Sequence, residues 1–263
     1  MNSNAIDIKH ASVWLGGREI IHDLSWSVES GGRCFILGAN GAGKTTLVKM
    51  LMGYAWPVYG AEVSVLGNRF GQTNLVELRK RIAWVSPFMQ QFTGTEWTGL
   101  QMVLSGFDGT LGLFRKPRPE EVEEARALMA RFRCAHLCDQ QIFTMSSGEQ
   151  IKILITRALL TKPDLLLLDE PSVYLDMAGR EFLLGEIAAM AAKLPELTMI
   201  FITQRIEDIL PIFDRGMIVR DGRVMCSGPR DEVLTAGNLS RAFDLPIRVM
   251  RNPSGRMWAM LEE

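Results

Sequence analysis

No uninterrupted apolar stretch in the sequence approaches the ~18 residues that a membrane-spanning helix needs. The opening residues, MNSNAIDIKH, carry no basic-then-apolar targeting pattern. Together these absences predict a soluble chain in the cytoplasm. Its 4 cysteines, Cys34, Cys134, Cys138 and Cys226, are too few and too scattered for a disulfide framework, so reduced thiols are expected. Neither sign of charge dominates: 29 basic side chains stand against 30 acidic ones, for a net charge of -1. No global field therefore draws the chain to nucleic acid or an anionic membrane, and no nucleic-acid partner is expected. Internal repeats, heptads, low-complexity tracts and long linkers are also missing. In RCAHLCD, Cys134, His136 and Cys138 are residue types that bind metals, but no second ligand pair follows and the segment reads as a helix end. Plain packing is the reading.

What the sequence does have is the means to build a core. With 263 residues, 47% of them hydrophobic, it suits one large α/β domain spanning the chain. Short apolar runs alternate with helical stretches: CFIL at 34–37, LLLLD at 165–169, MIFIT at 199–203 and GMIVRDG at 216–222. Such runs predict a parallel sheet buried on both faces. The first forty residues, with IDIKHASVWL and LSWSVES separated by Gly-Gly pairs, predict a small antiparallel subdomain of short strands. A mostly helical insertion is expected from about 92 to 157. Within it Pro119 suits a first helical position, Glu120, Glu121, Glu123 and Glu124 suit the positive end of the dipole, and Val122, Ala125, Met129 and Phe132 share a face. A C-terminal appendage is expected from about 231 to 263, with a short helix capped by Asn238 and a hairpin around NPSG.

The chemistry is concentrated after CFIL. There GANGAGKTT supplies Gly38, Ala39, Asn40, Gly41, Ala42, Gly43, Lys44, Thr45 and Thr46, matching G-x-x-x-x-G-K-[ST] ahead of a helical LVKMLMG. Glycines let the backbone curl so that successive N–H groups and a helix N-terminus meet phosphate oxygens. Lys44 reaches the β and γ phosphates, and Thr45 ligates magnesium. LLLLDEP adds Asp169 as a second magnesium ligand and Glu170 as a carboxylate that polarises the attacking water. The combination predicts a phosphate-loop nucleoside triphosphatase that uses Mg2+.

Between these motifs MSSGEQIKILITRALL opens a helix at Ser146, Ser147, Gly148 and Glu149. At this point the chain resembles the ATP-binding-cassette (ABC) ATPases, whose LSGGQ signature occupies that place; Ser146 and Gly148 match it, while Met145, Ser147 and Glu149 depart. The resemblance implies that this turn meets the γ-phosphate of an ATP held by a second subunit, and so implies a homodimer or a paired ATPase subunit. SVYLD resembles the family's D-loop, with Asp176 matching, and Trp14 falls where the family stacks an aromatic on adenine. Trp14 alone is equally readable as a strand residue packing the small sheet.

Two departures bear on catalysis. Family members end the next strand in Thr-His, whereas here the matching residue is Gln204. Its amide can donate to a phosphate oxygen but cannot carry a histidinium's charge, which shifts the catalytic burden to Glu170. The bland alternative is a strand-end glutamine satisfied by backbone. The family's Q-loop glutamine aligns with Pro87, for which Gln90 or Gln91, a turn later, is a substitute; proline there stiffens the loop toward a partner. By resemblance the chain is an ATPase subunit of a bacterial transporter, driving a separate membrane permease through the helical subdomain and Q-loop region from the inner face of the membrane. MGYAWPVYG and IEDILPIF look like the molybdate-transport-like branch, and EVLTAGNLSRAFDLPIRV like metal-chelate importers. The competing classes are a soluble, non-transport ABC protein and a slow or non-hydrolysing nucleotide-gated regulator.

Overall fold

The structure is a computed structural model that describes residues 4–86, 96–108 and 113–262. The chain opens with β1 (Asn4–Leu15), β2 (Arg18–Glu29), β3 (Arg33–Leu37), α1 (Lys44–Leu51), β4 (Glu62–Val65), β5 (Asn68–Arg69) and α2 (Leu75–Lys80). Its middle forms β6 (Ile82–Val85), α3 (Gly99–Leu104), α4 (Pro119–Arg131), α5 (Ser147–Leu160), β7 (Leu165–Asp169) and α6 (Met177–Lys193). The remainder forms β8 (Thr198–Thr203), β9 (Arg215–Arg220), β10 (Arg223–Pro229), α7 (Arg230–Val233), α8 (Ala236–Phe243), β11 (Ile247–Arg251) and β12 (Met257–Leu261). Two compact units result, one of Met1–Leu78 with Leu194–Glu263 and one of Arg79–Lys193. No helix among the described residues is long and apolar enough to cross a membrane.

The first unit holds two main sheets besides a two-stranded hairpin at its end. In the antiparallel sheet, ordered β2-β1-β4-β5, the later part of β2 alternates Leu24, Trp26 and Val28 inward with Ser25 and Ser27 outward. One covered face and one wet face produce that period of two. The strands β1 and β2 run twelve residues each, longer than the apolar pattern indicates, because a turn at Gly16 and Gly17 lets them continue as one hairpin. In the other sheet β3 lies between β8 and β9 and runs parallel to both, while β10 returns antiparallel to β9 at an edge. All six residues of β8 are buried, as a strand covered on both faces requires. Phe201 stacks at 5.1 Å from Phe213, and truncating so large a buried ring to alanine typically costs about 3–5 kcal/mol.

The end of this unit corrects one expectation. The cap of α8 is Thr235, whose Oγ1 accepts the N–H of Asn238 at 3.2 Å, and Asn238 is the third helical residue. The Asn238 amide donates backward to the carbonyls of Glu232 and Val233, each at 3.0 Å, closing the preceding α7. Both residue types are good caps, and the chain entering from α7 decides between them. The hairpin β11–β12 follows as expected from the sequence, paired from Ile247 with Leu261 to Arg251 with Met257.

In the second unit β6 and β7 pair in parallel, and the whole of β7 is buried. Among the helices, α5 buries Ile151, Ile153, Leu154 and Ile155, and α4 starts at Pro119 as the sequence predicts. Glu121 lies in the first turn of α4 as expected and is also buried, being 5% exposed. Its carboxylate accepts from Arg115 Nη1 and Nη2 at 2.7 and 2.9 Å, from the Arg118 N–H at 2.9 Å and from Arg118 Nη2 at 2.9 Å. Arg115 Nε donates in turn to Asp108 at 2.7 Å. A carboxylate so enclosed is favoured in its charged form, and the Arg115 guanidinium, followed by the Arg118 N–H, pulls its pKa down to about 2. Because the folded value is depressed, this network stabilises the fold above the ordinary carboxylate range and is lost as pH falls toward the folded value. Glu121→Gln should therefore lower Tm most above pH 4.5, with parent and variant converging near pH 2. Thermal melts across that range check this, and a pH-independent difference would exclude an ionised Glu121.

Candidate functional site

The phosphate-binding motif lies in the first unit, at the C-terminal end of β3. The loop leaves the strand at Gly38, where a Cβ would sit 2.4 Å from the Val219 carbonyl of β9, so only glycine passes. It ends at Gly43, which caps α1 with φ 101°; a Cβ there would lie 2.9 Å from Ile21 Cδ1 and 3.2 Å from the Ile20 carbonyl. β2 thus presses on one side of the loop. The turn of the β9–β10 hairpin meets it as well, the Gly222 N–H donating to the Ala42 carbonyl at 3.1 Å.

Inside this curl Lys44, 4% exposed, turns its ammonium back onto the Gly38 and Ala39 carbonyls at 2.8 and 2.9 Å. Asn40, Gly41 and Thr45 are exposed, with Ala39 and Thr46 half-buried. No side chain caps α1, so the glycine cap leaves the N–H groups of its first turn facing outward as donors for an anion. This cradle fits a polyphosphate, and an exposed Thr45 hydroxyl is the hard oxygen donor that Mg2+ prefers.

Gln204 belongs to the same end of the same sheet. In the β3–β8 register Leu37 pairs with Thr203, so Gly38 and Gln204 are the next residues on neighbouring parallel strands. The carboxyl ends of adjacent parallel strands are where α/β sheets bind ligands. Gln204 is half-buried, and among the described residues its side-chain amide makes no hydrogen bond. Trp14, near the end of β1 and opposite Glu19, is 53% exposed.

The remaining motifs lie in the second unit. Asp169 ends β7 as a buried carboxylate. Glu170 follows, half-buried at φ 51°, a left-handed conformation uncommon outside glycine, and its carbonyl accepts the Val173 N–H at 3.2 Å. Asp176 Oδ1 accepts the Gly179 N–H at 2.7 Å, which caps α6. Ser146 caps α5, accepting the Glu149 N–H at 3.3 Å, with Ser147 and Gly148 half-buried behind it.

Glu149 does more than its place in the motif indicates. Its carboxylate accepts from the Ser146 N–H and hydroxyl, both at 2.8 Å, with His136 Nε2 at 3.8 Å. These bonds, led by the backbone N–H, hold its pKa below the ordinary value. The signal was legible as S-x-x-E at a helix start, the capping box, and it places a negative charge beside the serine hydroxyl.

Cys134 and Cys138 are buried, Cys134 Sγ lying 3.4 Å from the Met129 carbonyl and Cys138 Sγ 3.5 Å from Met129 Sδ. Burial raises both thiol pKa values. Pro87 and Gln90 lie outside the described residues.

A glycine-walled phosphate loop on a parallel strand, with an acidic strand end elsewhere in the chain, defines a phosphate-loop ATPase. The family model described as ABC transporter matches residues 21–173, and the chain belongs to that family. It is 38% identical, over 94% of both chains, to the uncharacterized ABC transporter ATP-binding protein YlmA of Bacillus subtilis (strain 168). To the hemin import ATP-binding protein HmuV of Methylobacillus flagellatus it is 29% identical, covering 95% of this chain and 93% of the relative. Among solved structures, an inward-facing ABC transporter assigned to the metal-chelate type superposes with a TM-score of 0.80 at 22% identity, covering 98% of each chain. The protein is an ATP-binding subunit of an ABC transporter, an ATPase that uses ATP with Mg2+. Subunits of this kind dimerise and pair with membrane permease components.

Gly43→Ala tests the loop's geometry. Left-handed backbone costs a non-glycine residue about 1–2 kcal/mol, to which the Ile21 contact adds. The variant should melt below the parent and lose Mg·ATP binding; titration calorimetry showing parent-like affinity would mean that the loop does not depend on this glycine.

Proposed function

We propose that two copies of this chain close around two ATP molecules, and that closure and reopening drive an importer permease for a metal or metal-chelate cargo. The curled loop around Lys44, with Gln204 on the adjoining strand end, is the observation that carries the ATPase reading. The hemin-import relative supports the cargo class. In this reading the backbone N–H groups of Gly38 to Thr46 grip the phosphates, and the Lys44 ammonium moves from its own carbonyls to the β and γ oxygens. The Thr45 hydroxyl and the Asp169 carboxylate are the donors for Mg2+, which when bound neutralises charge on the phosphate oxygens. Trp14 stacks on adenine. Glu170 orients water and accepts its proton, and the Gln204 amide donates to the γ-phosphate.

The partner copy's ATP meets the turn formed by Ser146, Ser147, Gly148 and Glu149, with Asp176 beside it as the D-loop aspartate. The helical subdomain, about 92–157, and the Q-loop region at Pro87 and Gln90 contact the permease, which holds the subunit at the inner face of the membrane. For the whole chain the reading is one ABC-type domain, with residues from about 231 onward as an appendage.

A neutral amide at Gln204 and a carboxylate at Glu149 both weaken the positive field around the γ-phosphate, which favours slow turnover until the permease engages. The same pair supports the second reading, a nucleotide-gated regulator.

Magnesium-dependent ATP hydrolysis separates these. Lys44→Ala should weaken ATP binding roughly tenfold or more, through the loss of charge-assisted hydrogen bonds. Glu170→Gln should lower kcat about 10²–10⁴-fold and accumulate an ATP-bound dimer on size exclusion. A Glu170→Gln chain that stays monomeric with ATP would rule out the closed pair. Turnover that appears only in Gln204→His would favour the regulator.

A further inference from the structure

Gln204 is set in a braced turn. Just before it, Thr203 Oγ1 accepts the Arg205 N–H at 3.0 Å and lies 3.5 Å from the buried Asp208 carboxylate. Just after it, the 3-10 turn Ile206–Asp208 closes through Asp208 N–H to the Arg205 carbonyl at 3.3 Å and Ile209 N–H to the Ile206 carbonyl at 3.0 Å. The backbone on both sides of Gln204 is therefore fixed by this turn, and anything that loosens the turn loosens the aim of the amide.

The outer side of the turn is held by the C-terminal hairpin. Arg256 Nη2 donates to the Glu207 carbonyl at 2.8 Å. The nearly buried Arg230 reaches both parts, donating from Nη2 to the Gly255 carbonyl at 2.8 Å and toward the Ile209 carbonyl at 3.4 Å. Arg256 is itself fixed at the hairpin turn. Its N–H donates to Asn252 Oδ1 at 2.9 Å, its carbonyl accepts the Asn252 N–H at 3.0 Å, and its guanidinium lies 5.4 Å from the Trp258 ring. A two-stranded hairpin is marginal on its own, so these cationic hydrogen bonds are what a hairpin of this size needs to stay docked. They end on the carbonyls of the turn that carries Gln204.

We propose that Arg256 is a positioning residue for Gln204, and that the C-terminal hairpin sets how well the ATPase distinguishes ATP from ADP. The proposal rests on reading Gln204 as the γ-phosphate contact. ADP lacks that phosphate and is held by the loop around Lys44, so its binding is indifferent to the brace. Withdrawing Arg256 removes its donor from the Glu207 carbonyl, lets the turn fluctuate and blurs the hydrogen bond that only ATP receives.

The test uses the purified full chain with Mg2+ and measures Kd for ADP and for a β,γ-imido ATP analogue. The variants are Gln204→Ala, Arg256→Ala, Arg256→Lys, the double alanine variant and Arg248→Ala, which removes one charge from an exposed position on the same hairpin. The ratio of the two Kd values should fall about three- to tenfold in Gln204→Ala and in Arg256→Ala, with no further fall in the double variant, as one shared hydrogen bond requires. Kd for ADP should stay within about twofold of the parent, and Arg256→Lys, still a donor to the carbonyl, should recover most of the ratio. Arg248→Ala should match the parent. Hydrogen exchange in the nucleotide-free protein should be faster at residues 205–209 of Arg256→Ala and unchanged at residues 38–46.

An unchanged ratio in Arg256→Ala alongside a reduced one in Gln204→Ala overturns the brace and leaves the reading of Gln204 intact. An unchanged ratio in Gln204→Ala removes both. Equal weakening of ADP and analogue in Arg256→Ala, without recovery in Arg256→Lys, makes the arginine a structural clamp and also overturns the proposal.

Discussion

A buried ammonium at the end of a parallel strand governs the arrangement of the first unit. Lys44 cannot lie at the base of its loop unless carbonyls turn inward to meet it, and the Gly38 and Ala39 carbonyls do so. That inward turn is possible because β9 passes so close to Gly38 that a side chain is excluded, and because Gly43 takes a left-handed conformation beneath β2. The loop is thus walled by two strands, β2 and β9, and by the β9–β10 turn, none of them adjacent to it in sequence. Pre-organisation of this kind lowers the cost of binding, since the donors need not be gathered when phosphate binds.

Two positions carry a different charge from the family pattern that the sequence resembles. Gln204 has a neutral amide where the resembled pattern has a histidine, and Glu149 supplies an anion clasped to Ser146. Each substitution is locally well accommodated: the capping box stabilises the start of α5, and a neutral amide at a half-buried strand end avoids burying charge. On the proposed function, local stability and catalytic electrostatics pull in different directions at these two positions.

Sequence reasoning succeeded where the physics is short-ranged. The apolar runs at β3, β7, β8 and β9 announced buried strands because a strand covered on both faces has no room for polar side chains. Pro119 announced the start of α4 because its missing N–H costs nothing there. Reasoning failed where two local solutions were equally good, as with Thr235 and Asn238, or where the partner lay elsewhere. The placing of Glu121 at the helix start was legible, but its enclosure by Arg115 and Arg118 was not, and nothing in RMWAML marks Arg256 as a donor to the Glu207 carbonyl.

The phosphate loop, the acidic strand end and the serine-glycine helix start are each written in a few contiguous residues, because backbone curl, strand burial and capping are local properties. On those the sequence alone determined the class of chemistry. What only the tertiary structure decided is which distant residues share an end. The parallel register of β3 with β8 sets Gln204 next to Gly38, and the docking of β12 brings Arg256 onto the following turn. Register and docking depend on the packing of whole faces summed over many side chains, and no short stretch of sequence carries that sum.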